Sequence, residues 1–225
     1  MNLYLSHEAV DQLNKRGDIM NKFLLAGEVV SIGDEYMVME TVERTPSGDY
    51  PDEHDVYFDG EMPVVSVGEK IQVLGKIGKD PDDPRKLRLT AEVDNVRDYD
   101  GALDLNIAKV SGKLHRGFEY FPPAEGKRAF GNLLIVVGNE FYIRGVVLTA
   151  SACIEMKRSE QFMSGAEIEL SGRLQTRPFE INRNGVSEER VALEIVVDAD
   201  KTKVLKKASD YDPFAEFEKQ TAEAI

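Results

Sequence analysis

The chain has 225 residues, of which 42% are hydrophobic and 31% charged, and its net charge is −13. That length admits one or two domains of ordinary size, and no apolar run approaches the ~20 residues that a membrane helix needs. The single cysteine, Cys153, excludes an intrachain disulfide; with an N-terminus that has no signal-type apolar stretch, it predicts a reducing, cytoplasmic setting.

In chain order, Ser6 is placed to cap a short helix over 7–16, with Ala9, Val10 and Leu13 on one face. Strands are predicted over 23–30 and 36–42, then a short connection near 60–65, then alternating strands over 68–77 and 87–93. The run 79–85, rich in Pro and Asp, reads as an exposed turn, and 98–101 as the joint between two units. Further strands are predicted over 107–114, 132–137, 141–148, 165–174 and 191–197. A helix over 150–163 falls between the third and fourth of them, with Ile154, Met156 and Phe162 expected in the core. The segment from Ser209 onward is acidic and lies outside both units.

An internal repeat organises this pattern. Gly68-Glu-Lys-Ile-Gln-Val-Leu-Gly-Lys-Ile77 matches Gly165-Ala-Glu-Ile-Glu-Leu-Ser-Gly-Arg-Leu174 at a spacing of 97 residues without a gap. Both copies alternate apolar and polar, the mark of a half-buried strand, and both hold an internal Gly that predicts a bend. The expected units are 1–100 and 104–207, with a tail over 208–225. Charge divides unequally: −12 over 1–104, +3 over 105–207 and −4 over 208–225.

Three stretches of the second unit carry a family resemblance: Val110-Ser-Gly-Lys-Leu114, Phe141-Tyr-Ile-Arg-Gly-Val-Val147 and Ser171-Gly-Arg-Leu-Gln-Thr-Arg-Pro-Phe-Glu180. On these, residues 105–205 resemble the DNA-binding core of bacterial and phage single-stranded DNA-binding proteins. The resemblance implies an all-β fold with minor helices: two tandem five-stranded barrels of the oligonucleotide-binding (OB) type. It also implies a homodimer carrying four barrels. Two departures stand out: the chain has no Trp, and eleven residues follow the acidic Asp210-Tyr-Asp-Pro-Phe214 motif that ends the family's tail.

A single-strand binder needs cations along the phosphates and flat side chains under the bases. Arg173, Gln175, Arg177 and Phe179 share one strand face by parity, opposite Gly172, Leu174 and Thr176, which are expected to face the core. Tyr142 and Arg144 share parity on the preceding strand, with Phe141 and Ile143 on its other face. Arg116, Phe118 and their neighbours up to Phe121 form either a stacking loop or a hydrophobic lid. Lys113, Lys127, Arg128 and Phe130 complete the candidates.

Catalysis finds no support. His7, His54 and His115 are scattered, no metal-ligand spacing or phosphate-cradling loop is present, and Cys153 fits a buried thiol. Asp80, Asp82 and Asp83 lack the Gly and distal Glu of a calcium loop and read as a solvated turn. No cofactor is expected. The expected partners are single-stranded DNA and, through the acidic tail, replication or recombination proteins. The competing readings are a non-enzymatic interaction scaffold that recruits partners through acidic surfaces, and an RNA-binding barrel pair.

Overall fold

The computed structural model describes residues 20–45, 48–126, 128–138, 140–183 and 186–208. The helix expected over 7–16, the acidic tail and Lys127 lie outside the described residues. The described chain is mostly β. Its strands are β1 (Asn21–Ile32), β2 (Tyr36–Thr45), β3 (Gly48–Phe58), β4 (Lys70–Lys79), β5 (Leu87–Asp98), β6 (Leu105–Phe121), β7 (Phe130–Val137), β8 (Phe141–Val147), β9 (Glu167–Arg183), β10 (Val186–Val197) and β11 (Lys203–Lys206). One α-helix, α1 (Ala150–Arg158), and a 3₁₀ turn (Ala199–Lys201) complete it.

Pairing follows the same route twice. In the first set, β1 pairs β2, β2 pairs β3, β3 pairs β5 in parallel, β5 pairs β4, and β4 returns to β1. In the second, β6 pairs β7, β7 pairs β8, β8 pairs β10 in parallel, β10 pairs β9, and β9 returns to β6. Alternation explains the core. Leu133, Ile135 and Val137 on β7, and Phe141 and Ile143 on β8, are buried and fill the inside of the second set.

The repeat has a structural reason. Gly75 and Gly172 occupy the same place in β4 and β9, and a Cβ there would lie 2.3 Å from the Thr90 carbonyl and 2.1 Å from that of Val196. Only Gly allows the neighbouring strand to approach so closely. Gly68 and Gly165, which open the two copies, have φ of 91° and 90°, a conformation that favours Gly.

The two sets share one continuous sheet. An antiparallel β1–β6 ladder runs from Asn21↔Val110 to Ala26↔Leu105. Phe23 pairs with Gly75 and Ala108 with Gly172, so the repeat makes Phe23 and Ala108 equivalent positions. They are also partners in the β1–β6 ladder. The ladder is thus matched to itself about the Phe23/Ala108 pair. β1 is covered on both faces: Phe23 and Leu25 join the main core, and Leu24 packs against Leu74, Leu105 and Ile107.

Some expectations change. β3 goes unpredicted because Gly-Asp-Tyr-Pro-Asp-Glu-His-Asp is too polar to show a strand pattern. Helix α1 stops at Arg158 rather than Met163. It buries Cys153 and Met156, whereas Ile154 is 39% exposed and leaves the expected core; the short helix turns that residue outward. Burial pushes the Cys153 thiol pKa up. Asp80 Oδ1 accepts the amides of Asp82 and Asp83 at 2.8 and 3.1 Å, which accounts for these carboxylates as turn formers.

Candidate nucleic-acid interface

The register of the second set brings several predicted residues onto one outer face. Lys113 on β6 lies opposite Val136 on β7, and Val136 opposite Tyr142 on β8. In the next row Leu134 pairs with Arg144, Arg144 with Glu194, and Glu194 with Gln175. Arg177 and Phe179 follow on β9, opposite Ala192 and Arg190. Tyr142 is exposed and meets His115 edge-on, with ring centroids 5.0 Å apart. Phe179 is half-buried, and the Arg177 guanidinium lies 5.7 Å from its ring centroid.

Glu194 organises the middle of this face. It is 2% exposed, and its carboxylate lies 3.1 Å from Arg177 Nε and 3.4 Å from an Arg144 guanidinium nitrogen. Arg144 also donates to Asn132 Oδ1 at 3.1 and 2.6 Å. A buried carboxylate between two half-exposed guanidiniums fixes their direction and neutralises part of their charge. The sequence signal for Glu194 is a lone acid inside the apolar run Val191–Val197. Asn132 carries none.

Three predicted residues stand elsewhere. Arg173 leaves the outer face and turns to the first strand set, where its Nε lies 3.0 Å from Glu43 and a terminal nitrogen 3.9 Å from Asp52. Phe118 is 5% exposed and lies against Gly131, so it is a core lid and not a stacking platform; the bulges in β6 put it on the inner side. Thr176, expected to face the core, bonds to the first set instead: its N–H donates to Asp52 Oδ1 at 3.4 Å and its hydroxyl to the Glu53 carbonyl at 3.1 Å.

Arg116 and Arg128 are exposed. Phe130 begins β7 at the far end of the face and stacks on Phe121 with centroids 4.6 Å apart and planes 11° from parallel. The sequence places Phe121 only as a neighbour of Phe118, yet it is the ring of that loop that stays exposed.

Where Arg173 and Thr176 cross to the first set, polar groups are buried. Desolvation pushes the Asp52 carboxyl up to about 6, against the Thr176 N–H and the Arg173 charge, which lower it. Desolvation, helped by Arg173, pushes His54 down to about 4. Asn106 Nδ2 donates to His54 Nε2 at 3.1 Å, so neutral His54 carries its proton on Nδ1. That Nδ1 is buried and has no hydrogen-bond partner among the described residues.

No family model matches the chain, and no curated protein matches it. Among solved structures, the single-stranded DNA-binding protein from Thermus aquaticus aligns over 85% of this chain and 95% of its own, with a TM-score of 0.64 at 14% identity. A deletion mutant of that protein aligns over 87% and 98%, with a TM-score of 0.63 at 15% identity. The chain is therefore similar in fold to that protein.

Proposed function

We propose that the chain binds single-stranded DNA with little sequence preference, through the outer face of β6–β10, in DNA replication, recombination or repair. In this reading each five-strand circuit is an OB-type barrel, the two barrels span 1–100 and 104–207, and the protein is a cytoplasmic homodimer. The observation that carries it is the row arrangement of Lys113, Tyr142, Arg144, Gln175, Arg177 and Phe179 on one sheet face. Cations for phosphates and rings for bases alternate there, as a sequence-tolerant single-strand site requires. The likeness in fold to a single-stranded DNA-binding protein over most of both chains supports it.

A gel shift with oligo-dT, single-stranded RNA and duplex DNA tests it. Oligo-dT is expected to bind best. Affinity should fall with salt, at a slope of roughly −0.7 per phosphate neutralised. The second reading, an interaction scaffold, is favoured by one observation: Arg144, Arg173 and Arg177 are each already paired with a carboxylate. A chain that fails to shift oligo-dT at low salt would favour the scaffold.

A further inference from the structure

The repeat and the strand registers let the two sets be compared position by position. Ile77 pairs with Leu89 as Leu174 pairs with Ile195, and Val56 pairs with Leu89 as Gly145 pairs with Ile195. Arg144 therefore corresponds to Asp55, Glu194 to Arg88, Tyr142 to Glu53 and, at the spacing of 97, Arg177 to Asp80. The face of the first set inverts the charge of the second. It cannot serve the same polyanion.

This inverted face borders a cleft of about 540 Å³ between the two sets. Its walls carry Glu53, Asp55, Asp80 and Asp83 from the first set and Glu188 and Glu189 from β10. Two of these are already paired, Asp83 with Arg85 and Glu188 with Arg190, and Lys86 and Arg88, the latter 3.8 Å over the Tyr57 ring, offset the other four only in part. The Asp55 carboxyl is held above its ordinary pKa by burial and by the Glu53 charge, a crowding that a cation would relieve.

Two strand edges face this cleft. β3 is paired with β2 along its length, but on its other edge β5 covers only Val56–Phe58, and the Thr176 hydroxyl takes the Glu53 carbonyl. β10 is paired with β9 from Val186 to Val197, but β8 covers it only at Glu194–Val196. Pro51 bounds the β3 edge, since it has no N–H to pair. His54, 1% exposed, also borders the cleft, and its Nδ1–H lacks an acceptor among the described residues. An extended backbone presents both carbonyls and N–H groups to a strand edge, and strand addition to an open edge is a general mode of peptide capture.

We propose that the cleft between β3 and β10 docks an extended, lysine- or arginine-rich segment of a partner protein as an added strand. The carboxylates select its charge and the open edges its conformation. Nucleic acid and this chain's own acidic tail have the wrong sign. The inference does not depend on DNA binding by the second set.

The probe is a fluorescein-labelled eight-residue peptide of alternating Lys and Val, titrated with the full chain and read by anisotropy. Two control peptides replace Lys by Glu, or two Val by Pro. The Lys-Val peptide is expected to bind, and both controls to bind at least tenfold more weakly. Glu53→Lys/Asp55→Lys, both on exposed positions, should weaken the Lys-Val peptide at least tenfold, and Glu189→Lys severalfold, with circular dichroism melts close to wild type. The proposal is overturned if the wild type ignores the peptide, if the variants bind it equally, or if the proline control binds as well as the parent. It is also overturned if light scattering shows a dimer that Glu53→Lys/Asp55→Lys abolishes, because a second copy would then occupy the cleft.

Discussion

The side chain of Asn106 and the backbone of Leu174 exchange two hydrogen bonds: the Leu174 N–H donates to Oδ1 at 2.8 Å, and Nδ2 donates to the Leu174 carbonyl at 3.0 Å. The amide acts as a one-residue strand partner for β9. Nδ2 also reaches His54 of β3 and the Thr41 hydroxyl of β2, so a single side chain joins β9 and β6 to the first set. Asn106→Ala leaves the Leu174 groups and His54 Nε2 unmatched in a mostly buried place. Each unmade bond costs about 1–3 kcal/mol. The three together come to about 3–9 kcal/mol, read as a melting temperature lowered by at least roughly 6 °C.

Phe179 offers a test of the interface. Stacking of a base on a ring is worth about 1–3 kcal/mol, so Phe179→Ala should weaken oligo-dT binding roughly 5- to 150-fold. The ring is half-buried at the surface under Arg177, and its loss should move the melting temperature by only a few degrees. An unchanged affinity with a large drop in melting temperature would make it a packing residue.

Glu194→Gln separates charge from position. The variant keeps an acceptor for Arg144 and Arg177 but frees their charge for phosphate. Oligo-dT should bind several times more tightly at low salt, and the salt slope should steepen by roughly 0.7. A tenfold loss of affinity would instead mean that the carboxylate must hold both guanidiniums in place.

Asp52 and His54 make opposing contributions to pH dependence. His54 falls from 6.5 to about 4 on folding, so its stabilisation is complete above pH 6.5 and is lost as pH falls through 4. Asp52 rises from 3.8 to about 6, so its stabilisation is complete below 3.8 and is lost as pH rises through 6. Between pH 4 and 6 the two trends oppose each other. Compared with wild type, Asp52→Asn should lose more stability on acidification from pH 6.5 to 4, and His54→Gln should lose less or gain. Urea denaturation at pH 7, 5 and 4 checks both.

Local features of this fold were legible in the sequence, and long-range ones were not. The Gly68–Ile77 and Gly165–Leu174 repeat shows because a strand buried on one face must alternate. The outward set of Arg177 and Phe179 follows from the same parity. Phe118 misleads because bulges in β6 shift the parity, and nothing local marks them. Arg173 misleads because its partners, Glu43 and Asp52, lie more than a hundred residues away in the chain. β3 escapes because its length is held by pairing to β2 rather than by its own apolar content.

The self-matched ladder about Phe23 and Ala108 has a further consequence. Two separate chains joined along such an edge would come apart on dilution, whereas one chain holds both edges at a fixed, high effective concentration. It also removes a constraint that identical subunits cannot escape: every change would have to appear on both sides of the joint. With both halves written into one polypeptide, position 144 can be arginine while its counterpart 55 is aspartate, and the two faces can be selected for different tasks without loosening the seam that joins them.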